Sequence, residues 1–264
     1  MKITDTHVHL NIKEFDKDVD FVIKKAMNNE IFRFLIPSID PDEDIYDILK
    51  LEKKYPNICY PMIGLHPNKV FPSNLEKKLK NIEKCLNQHS FISIGEIGMD
   101  LHLKNNFFLE QKKAFQIQME WAIEKKLPIV LHCRKSFDHI FKILSKQKKC
   151  SIKGVFHCFS GNIEEAGKII DLGMKIGIGG IITFKNNNVS KFLKKINLKN
   201  IILETDSPYL SPHPLRGKRN EPSNLRIILK ELSRIYSIPE YKISKIIHDN
   251  VENLFFNKKN SQHI

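Results

Sequence analysis

The feature that most constrains the fold is a unit that recurs along the chain: an apolar run rich in β-formers, a turn, and an amphipathic helical stretch. Eight such runs occur within 264 residues. They cover residues 2–10, 31–39, 58–66, 91–99, 129–132, 152–159, 174–182 and 200–204. Strands that alternate with helices predict a parallel sheet, and eight of them in this length favour an α/β fold of the (β/α)8 TIM-barrel type. An open doubly wound sheet usually has fewer strands and a glycine-rich first turn, which this chain lacks.

The stretches between the runs carry apolar residues at helical spacing. They predict helices over about 14–28, 40–54, 73–88, 107–126 and 137–146, another from 162, and two closing helices over 222–236 and 239–256. Three pairs have the spacing of a capping box: Asp40 with Glu43, Ser73 with Glu76, and Asn162 with Glu165. No Pro/Gly/Ser-rich linker divides the chain, so we expect one domain over residues 1–264.

Composition limits the class of protein and the kind of metal site. Hydrophobic residues make up 41% and charged residues 28% of the chain, the balance of a soluble globular protein. No apolar run approaches the roughly 20 residues of a membrane span, and the start MKITDTHVHL lacks the apolar core of a signal peptide. We therefore expect a cytoplasmic protein without a membrane partner. Five cysteines without a C-x-x-C pair favour reduced thiols, so a metal must rely on nitrogen and oxygen ligands.

The net charge of +13 has two explanations. A basic surface attracts a polyanion such as nucleic acid, because Lys and Arg release counterions from the phosphates that they contact. A chain rich in Lys, Asn and Ile throughout could instead reflect an AT-rich genome. Net charge alone therefore decides nothing about function.

Candidate metal ligands stand at the ends of the predicted strands. His7 and His9 are two residues apart and project from the same side of the first strand. The later strands end in His66, Glu96, His132, His157 and Asp206, in that order. In a TIM barrel these ends surround one mouth, where the chemistry takes place. A lone H-x-H is more often a pair of ordinary strand histidines, but five of eleven histidines at strand ends are difficult to explain structurally.

Barrel closure divides these residues into two half-sites. The eighth strand must lie beside the first, which brings Asp206 next to His7 and His9, while His132 and His157 on neighbouring strands form a second pair. The two oxygens of Glu96 could bridge them. We therefore predict two divalent cations. One is bound by His7, His9, Glu96 and Asp206, and the other by Glu96, His132 and His157.

Two ions roughly 3.5 to 4 Å apart suit the hydrolysis of phosphoesters, because one can activate water while both stabilise charge on the phosphoryl group. Asp206, at the edge of the predicted site, is the best candidate to accept the proton from that water, and Glu96 bridges the ions. Mixed imidazole and carboxylate ligands are compatible with Mg, Mn, Zn or Co.

Several sequence blocks together resemble the TatD family of metal-dependent deoxyribonucleases. In order they are DTHVHL, GLHP, GEIGMD, PIVLHCR, HCFSG, ETDSPYL and RGKRNEP, and the segment DNVENLFF resembles that family's end. The resemblance implies an amidohydrolase-like TIM barrel with two divalent ions that removes nucleotides from the 3' end of DNA. It assigns metal binding to the same six residues. Met99 and Val8 replace the usual Leu and Cys, and both changes are apolar.

Substrate contacts are predicted for three further residues. His66 could touch substrate or orient the water, and Arg134, two residues after His132, could clamp a phosphate oxygen or form a salt bridge at the barrel rim. Asn220 matches a family block and could bind substrate, although a helix N-cap is a simpler use. A basic loop with Arg216, Lys218 and Arg219 is either a phosphate site or merely solvated.

Two other functions remain open. Barrels with an H-x-H motif also cleave C–N bonds of small molecules, but many of these amidohydrolases bridge their metals with a carboxylated Lys where this chain has Glu96. A nucleic-acid-binding barrel with structural metals is less favoured, because structural sites are usually closed and single. The sequence thus predicts a phosphodiesterase with DNA as its substrate and implies no stable protein partner.

Overall fold

The structure is a computed structural model that describes residues 3–102, 107–147 and 152–257. Lys2, the first residue of the first predicted run, and Cys150, one of the five cysteines, lie outside these ranges. Eight strands form one parallel sheet in the order β1 to β8. They are β1 (Ile3–Asp5), β2 (Ile31–Pro37), β3 (Cys59–Ile63), β4 (Ser93–Asp100), β5 (Ile129–Arg134), β6 (Gly154–Phe156), β7 (Lys175–Ile178) and β8 (Ile201–Leu203). The predicted (β/α)8 barrel is confirmed.

Helices follow the strands in alternation within the described ranges. They are α1 (Val19–Asn28), α2 (Pro41–Lys54), α3 (Leu75–Gln88), α4 (Phe108–Lys125), α5 (Phe137–Lys146), α6 (Ile163–Asp171), α7 (Val189–Leu193), α8 (Leu225–Tyr236) and α9 (Glu240–Val251). The first helix begins later than predicted, because residues 13–15 form a separate 3-10 turn. The short α7 was not predicted, and α9 continues as a π-helical turn over Glu252–Phe256.

Backbone hydrogen bonds between the segments around the ends of β1 and β8 close the barrel. Thr6 N donates to Leu203 O at 3.2 Å, and Asp206 N donates to His7 O at 2.9 Å. His9 N donates to Ser207 O at 2.9 Å, and Val8 forms a parallel bridge with Ser207. The segment after β8 is therefore the direct neighbour of the segment after β1, as barrel closure predicted.

Apolar side chains of the strands divide between two faces. One buried cluster joins strand residues to the surrounding helices. A smaller cluster joins Leu35, Met62, Val130, Val155 and Ile202, which come from five different strands, to Val251, Leu254 and Phe255. Side chains from such distant strands can meet only inside the barrel. Phe256 contacts Arg33 and Tyr60 near the starts of β2 and β3, so the segment after α9 covers the barrel end opposite the histidines.

Only one of the three predicted capping boxes forms. Asn162 Oδ1 accepts from Glu165 N, and Glu165 Oε2 accepts from Asn162 N, each at 2.9 Å. The other two predictions are wrong. At α2, the Asp40 carboxylate pairs with the buried ammonium of Lys78, and Asp44 accepts the backbone N–H groups of residues 39 and 40. The helix α3 begins after Asn74, and no side chain caps its first turn.

Two smaller expectations can be compared with the structure. Cys59, Cys85, Cys133 and Cys158 are free thiols, as the spacing predicted. None of the helices in the described ranges combines the length and apolar character that crossing a bilayer requires.

Candidate metal centre

The segment after β1 fixes His7 and His9 by bonding to both neighbouring strands. Val8 N donates to Leu35 O of β2 at 3.2 Å, whereas His9 N donates to Ser207 O on the β8 side. Successive residues are thus hydrogen-bonded to opposite neighbouring strands. The side chains of His7 and His9 therefore point to the same side of the backbone. Their rings make an edge contact with centroids 5.1 Å apart.

Glu96 of β4 lies at the middle of the imidazole cluster. Its Oε2 atom is 3.1 Å from His7 Nε2. Its Oε1 atom is 3.3 Å from His66 Nε2, 2.8 Å from His132 Nδ1 and 2.7 Å from His157 Nε2. One buried carboxylate therefore faces imidazoles from four strand ends, and its two oxygens point to different sets of rings.

Asp206 provides the second carboxylate. Its Oδ1 atom is 3.4 Å from His9 Nε2 and 3.8 Å from His7 Nε2. Its side chain is 14% exposed, whereas that of Glu96 is 3% exposed. Asp206 is thus the carboxylate of the pair that solvent can reach.

The structure brings the six predicted ligands together, but it groups them differently from the sequence. The His157 ring stacks on His7 with centroids 3.9 Å apart, and its centroid lies 5.8 Å from that of His132. Donor atoms within 4.8 Å of one another form three groups: His7, His157 and Asp206; His7, His9 and Glu96; and His66, Glu96 and His132. His157 therefore lies between the two predicted half-sites, and His66 joins the ligand-type cluster.

The charges of the cluster shift the pKa values of its members. Burial alone would raise the pKa of Glu96, but the surrounding imidazoles hold it well below its usual range. Burial would lower the pKa of His157, but the charge and hydrogen bond of Glu96, together with the charges of Glu204 and Asp206, outweigh burial and raise the pKa to about 10. Burial lowers the pKa of His7 to about 4, with the His157 charge adding to the effect. A cationic environment thus keeps Glu96 ionised, and His7 stays neutral and able to ligate.

The donor set fits a divalent cation. The Nδ1 atoms of His7 and His157 are buried and have no hydrogen-bond partner within the described residues. Buried polar atoms without partners are costly, and convergent imidazoles and carboxylates are the usual ligands of divalent transition metals. The six residues predicted from the sequence, together with His66, are therefore the candidates for metal binding, and their role as ligands stays a prediction.

Two carboxylates that the sequence analysis missed support the histidines from behind. Asp100, at the end of β4, lies 3.1 Å through Oδ2 from His132 Nε2. Glu204, directly after β8, accepts from the backbone N–H of Cys158 and lies 3.8 Å through Oε1 from His157 Nδ1. Such carboxylates orient a ligating imidazole and raise its basicity. A signal for Asp100 existed, because it is four residues from Glu96 and so on the same side of the strand.

Glycine makes room for one of these carboxylates. A Cβ atom on Gly177 of β7 would lie 2.6 Å from Glu204 Oε2 and 2.8 Å from its Oε1. The absence of a side chain at Gly177 thus allows Glu204 to occupy the space beside β7.

Asp5 couples the two segments that carry the histidines and Asp206. Its Oδ1 atom accepts from Thr205 N at 2.9 Å and from His7 N at 3.4 Å, and its Oδ2 accepts from Thr205 Oγ1 at 2.5 Å. Burial raises the pKa of Asp5 to about 7. Asp5 thus stabilises the closure of the barrel beside the site.

The predicted substrate contacts differ in their availability. Arg134 is exposed, and its guanidinium makes no ion pair with any described residue, so the alternative of a rim salt bridge is not observed there. Asn220 is fully buried, and its Nδ2 atom donates to Thr205 O and Tyr209 O. The Asn220 amide therefore holds the loop after β8, and a direct substrate contact stays a prediction. The N-cap alternative is not observed, because Asn224 occupies that position at α8.

The basic loop is mostly occupied by internal contacts. Arg219 forms a two-pronged ion pair with Asp18 and a third contact with Glu221. Arg216 donates to Ser211 O and lies over the Phe184 ring. Lys218 is exposed. Arg219 thus ties the loop to the start of α1, and a phosphate-binding role for the loop stays a prediction.

Comparisons with known sequences agree over nearly the whole chain. The profile of the family described as "TatD related DNase" matches residues 4–256. The uncharacterized metal-dependent hydrolase YabD of Bacillus subtilis is 32% identical over 252 residues, which cover 95% of this chain and 98% of the relative. The uncharacterized metal-dependent hydrolase BU355 of Buchnera aphidicola is 35% identical over 264 residues, covering 97% and 99%.

Solved structures agree as well. YJJV, a TatD homolog from Escherichia coli K12, superposes with a TM-score of 0.86 at 26% identity, over 96% of this chain and 97% of that one. A TatD family hydrolase from Entamoeba histolytica gives a TM-score of 0.87 at 24% identity, over 97% and 98%, and at that identity it shows the shared fold alone.

Proposed function

The chain belongs to the TatD family of metal-dependent hydrolases, and from this premise we propose that it is a two-metal deoxyribonuclease that cleaves phosphodiester bonds from the 3' end of DNA. The observation that carries the proposal is the position of Glu96, whose two oxygens face separate sets of imidazoles at the barrel mouth. A bridging carboxylate of this kind suits a pair of ions, and paired ions suit phosphoryl chemistry.

In the proposal His7, His9, Glu96 and Asp206 would hold the first ion, and Glu96, His132 and His157 would hold the second. His66 lies close enough to Glu96 to ligate or to orient a water molecule. Divalent ions bound here would supply Lewis acidity, which lowers the pKa of water and stabilises negative charge on the attacked phosphoryl group.

Asp206 is proposed to accept the proton from the attacking water. Although burial raises its pKa, the hydrogen bond to His9 and the charges of His157 and His7 outweigh burial and lower it. The carboxylate is therefore ionised at neutral pH and can take a proton. Its side chain is 14% exposed, so water can reach the carboxylate more readily than it can reach the 3% exposed Glu96.

Arg134 is proposed to bind the DNA backbone. It follows His132 by two residues on β5, is exposed, and forms no salt bridge with a described side chain, although its charge lowers the pKa of Asp100. A guanidinium binds a phosphate through two parallel hydrogen bonds. His66 completes the proposed substrate contacts, and Asn220 supports them by holding the loop that carries Tyr209.

The test is an incubation of metal-loaded protein with single-stranded DNA labelled at its 5' end. We expect a ladder of shortened products that disappears with a chelator. The Asp206→Asn variant should lose at least about 100-fold in turnover, because it removes the proton acceptor. The Asp171→Asn variant is the matched control, since this exposed aspartate at the end of α6 lies on a different element.

Three outcomes would contradict the proposal. Equal cleavage with and without chelator would refute the metal requirement, and Asp206→Asn turnover within a few-fold of wild type would refute the role of Asp206. Release of ammonia or amine from small amides, without any cleavage of DNA, would favour the C–N hydrolase instead. Thermal melting of each variant checks that the fold is retained.

A further inference from the structure

A cavity of about 360 Å³ opens beside the candidate metal centre, between the segments that follow β5 and β6. We call it the α5 cavity and define it by Lys135, Ser136, Phe137, His157 and Phe159. His157 is shared with the centre, because its Nε2 lies 2.7 Å from Glu96 Oε1. The volume falls within the roughly 300 to 1,000 Å³ of small-molecule sites. A molecule bound in this cavity would lie directly beside the part of a substrate that reacts at the candidate metal centre around Glu96.

Aromatic rings form part of the wall of the α5 cavity. Phe137 and Phe159 line it, and the Phe137 ring is supported from behind by Phe156 and Phe141, with centroids 6.0 and 5.8 Å away. The Phe137 ring is therefore held in position by its aromatic neighbours. Aromatic side chains of this kind stack with nucleobases irrespective of their sequence, since every base has a π-face.

Two other features of the α5 cavity can bind an anion, the Lys135 side chain and the first turn of α5. The Lys135 side chain is exposed, and its ammonium has no carboxylate partner within the described ranges. The Ser136 hydroxyl precedes α5 but donates to Met99 O at 2.6 Å, so it does not cap the helix. The first-turn N–H groups of α5 lie at the same cavity, and such groups bind phosphate when it is present.

Two carboxylates, Asp138 and Glu165, also line the α5 cavity, and neither forms a salt bridge with Lys135. Glu165 Oε2 accepts from Asn162 N in the capping box of α6. Asp138 is exposed at the first turn of α5, where a negative charge is favourable. Among the described residues that line the cavity, Lys135 is the lysine without a carboxylate partner.

We propose that the α5 cavity binds the nucleotide next to the scissile phosphodiester, with its base against Phe137 and Phe159 and its own phosphate at Lys135 and the first turn of α5. The inference rests on the proposed phosphodiesterase activity and names its substrate class more narrowly. The enzyme selects oligonucleotides with a second phosphate over small phosphodiesters with only one.

The experiment compares the Lys135→Ala variant with Lys142→Ala, which removes an exposed charge from α5 away from the cavity. Steady-state rates are measured on a five-residue oligothymidylate and on bis(p-nitrophenyl) phosphate, which carries a single phosphate. For Lys135→Ala, the ratio of kcat/KM on the oligonucleotide to kcat/KM on the small ester should fall roughly 3- to 20-fold, mainly through KM. Lys142→Ala should leave this ratio as in the wild type.

A binding measurement separates this inference from the proposed activity. The anisotropy of a fluorescein-labelled oligothymidylate, titrated in the presence of chelator, should show weaker binding by Lys135→Ala than by Lys142→Ala. The Phe137→Leu variant should weaken binding of the normal oligonucleotide more than that of one with abasic residues. If both lysine variants cleaved DNA with the same ratio of kcat/KM values and bound the labelled oligonucleotide with the same affinity, the cavity assignment would be wrong. The proposed function would still stand. Failure to cleave either substrate would overturn the proposed function and the inference with it.

Discussion

Two glycine-to-alanine substitutions should change stability in opposite directions, although they add the same methyl group. At Gly177 the new Cβ would lie 2.6 Å from Glu204 Oε2, about 1 Å inside ordinary van der Waals contact. Glu204 has little freedom to move, because it is buried and accepts the backbone N–H of Cys158. Gly167 lies within α6, and a Cβ there would meet no atom within 4 Å.

The magnitudes follow from these contacts. Overpacking of this kind costs about 1 to 3 kcal/mol in the free energy of unfolding, so Gly177→Ala should lower Tm by about 2 to 12 °C. Gly167→Ala removes the helix penalty of glycine, about 0.5 to 1 kcal/mol, and should raise Tm by about 1 to 4 °C. Gly177→Ala should also weaken metal binding, because a displaced Glu204 no longer orients His157.

Urea unfolding followed by circular dichroism measures the two free energies, and calorimetric titration measures metal affinity. Gly167→Ala controls for the general effect of alanine on the unfolded chain. If Gly177→Ala were as stable as the wild type and bound metal equally well, the close packing of Glu204 against β7 would not constrain the site as described.

Further predictions concern the carboxylates. Glu96→Ala should reduce metal content towards one ion per chain by elemental analysis, and two ions in the variant would reject the bridging role. Asp100→Ala should weaken metal binding about 10- to 100-fold in a calorimetric titration, since it frees His132, and an unchanged affinity would remove Asp100 from that role. Burial raises the pKa of Asp44 to about 6 from 3.8, so its contribution to stability is full below pH 3.8 and is lost as pH rises through 6. The free energy of unfolding of the wild type relative to Asp44→Asn should thus fall by about 3 kcal/mol between pH 3.5 and 7, and a flat difference would contradict this.

The sequence predicts the barrel and the gathering of ligands well, because both depend on strand order. Parallel strands in a closed ring place all their C-terminal ends around one mouth, whatever the side-chain details. Glu96 and Asp206 could therefore be placed near the histidines before any contact was known. Closure between the first and last strands follows from the same argument, and the bond from Asp206 N to His7 O is its direct expression.

The finer arrangement depends on side-chain orientation, which spacing does not determine. His157 stacks on His7 because of the ring angles at the mouth, so its assignment to one half-site could not be read from neighbouring strands. Helix capping failed for a similar reason. Asp40 has the right spacing for a cap, but the distant Lys78 takes its carboxylate in an ion pair. A local pattern predicts a local bond only when no tertiary partner competes for the same atoms.

The contact between segments that are distant along the polypeptide has a consequence for how the enzyme matures on the ribosome. The hydrogen bond from Thr205 N to Asp5 Oδ1 links positions that are 200 residues apart. At about 5 to 20 residues per second, translation separates the appearance of these two positions by roughly 10 to 40 s. During that interval His7 and His9 have already been synthesised, but Asp206, which completes the predicted ligand set, has not. Chains that stop before Asp206 are consequently unable to assemble the full ligand set, and hydrolytic capacity arises only after that residue has been made.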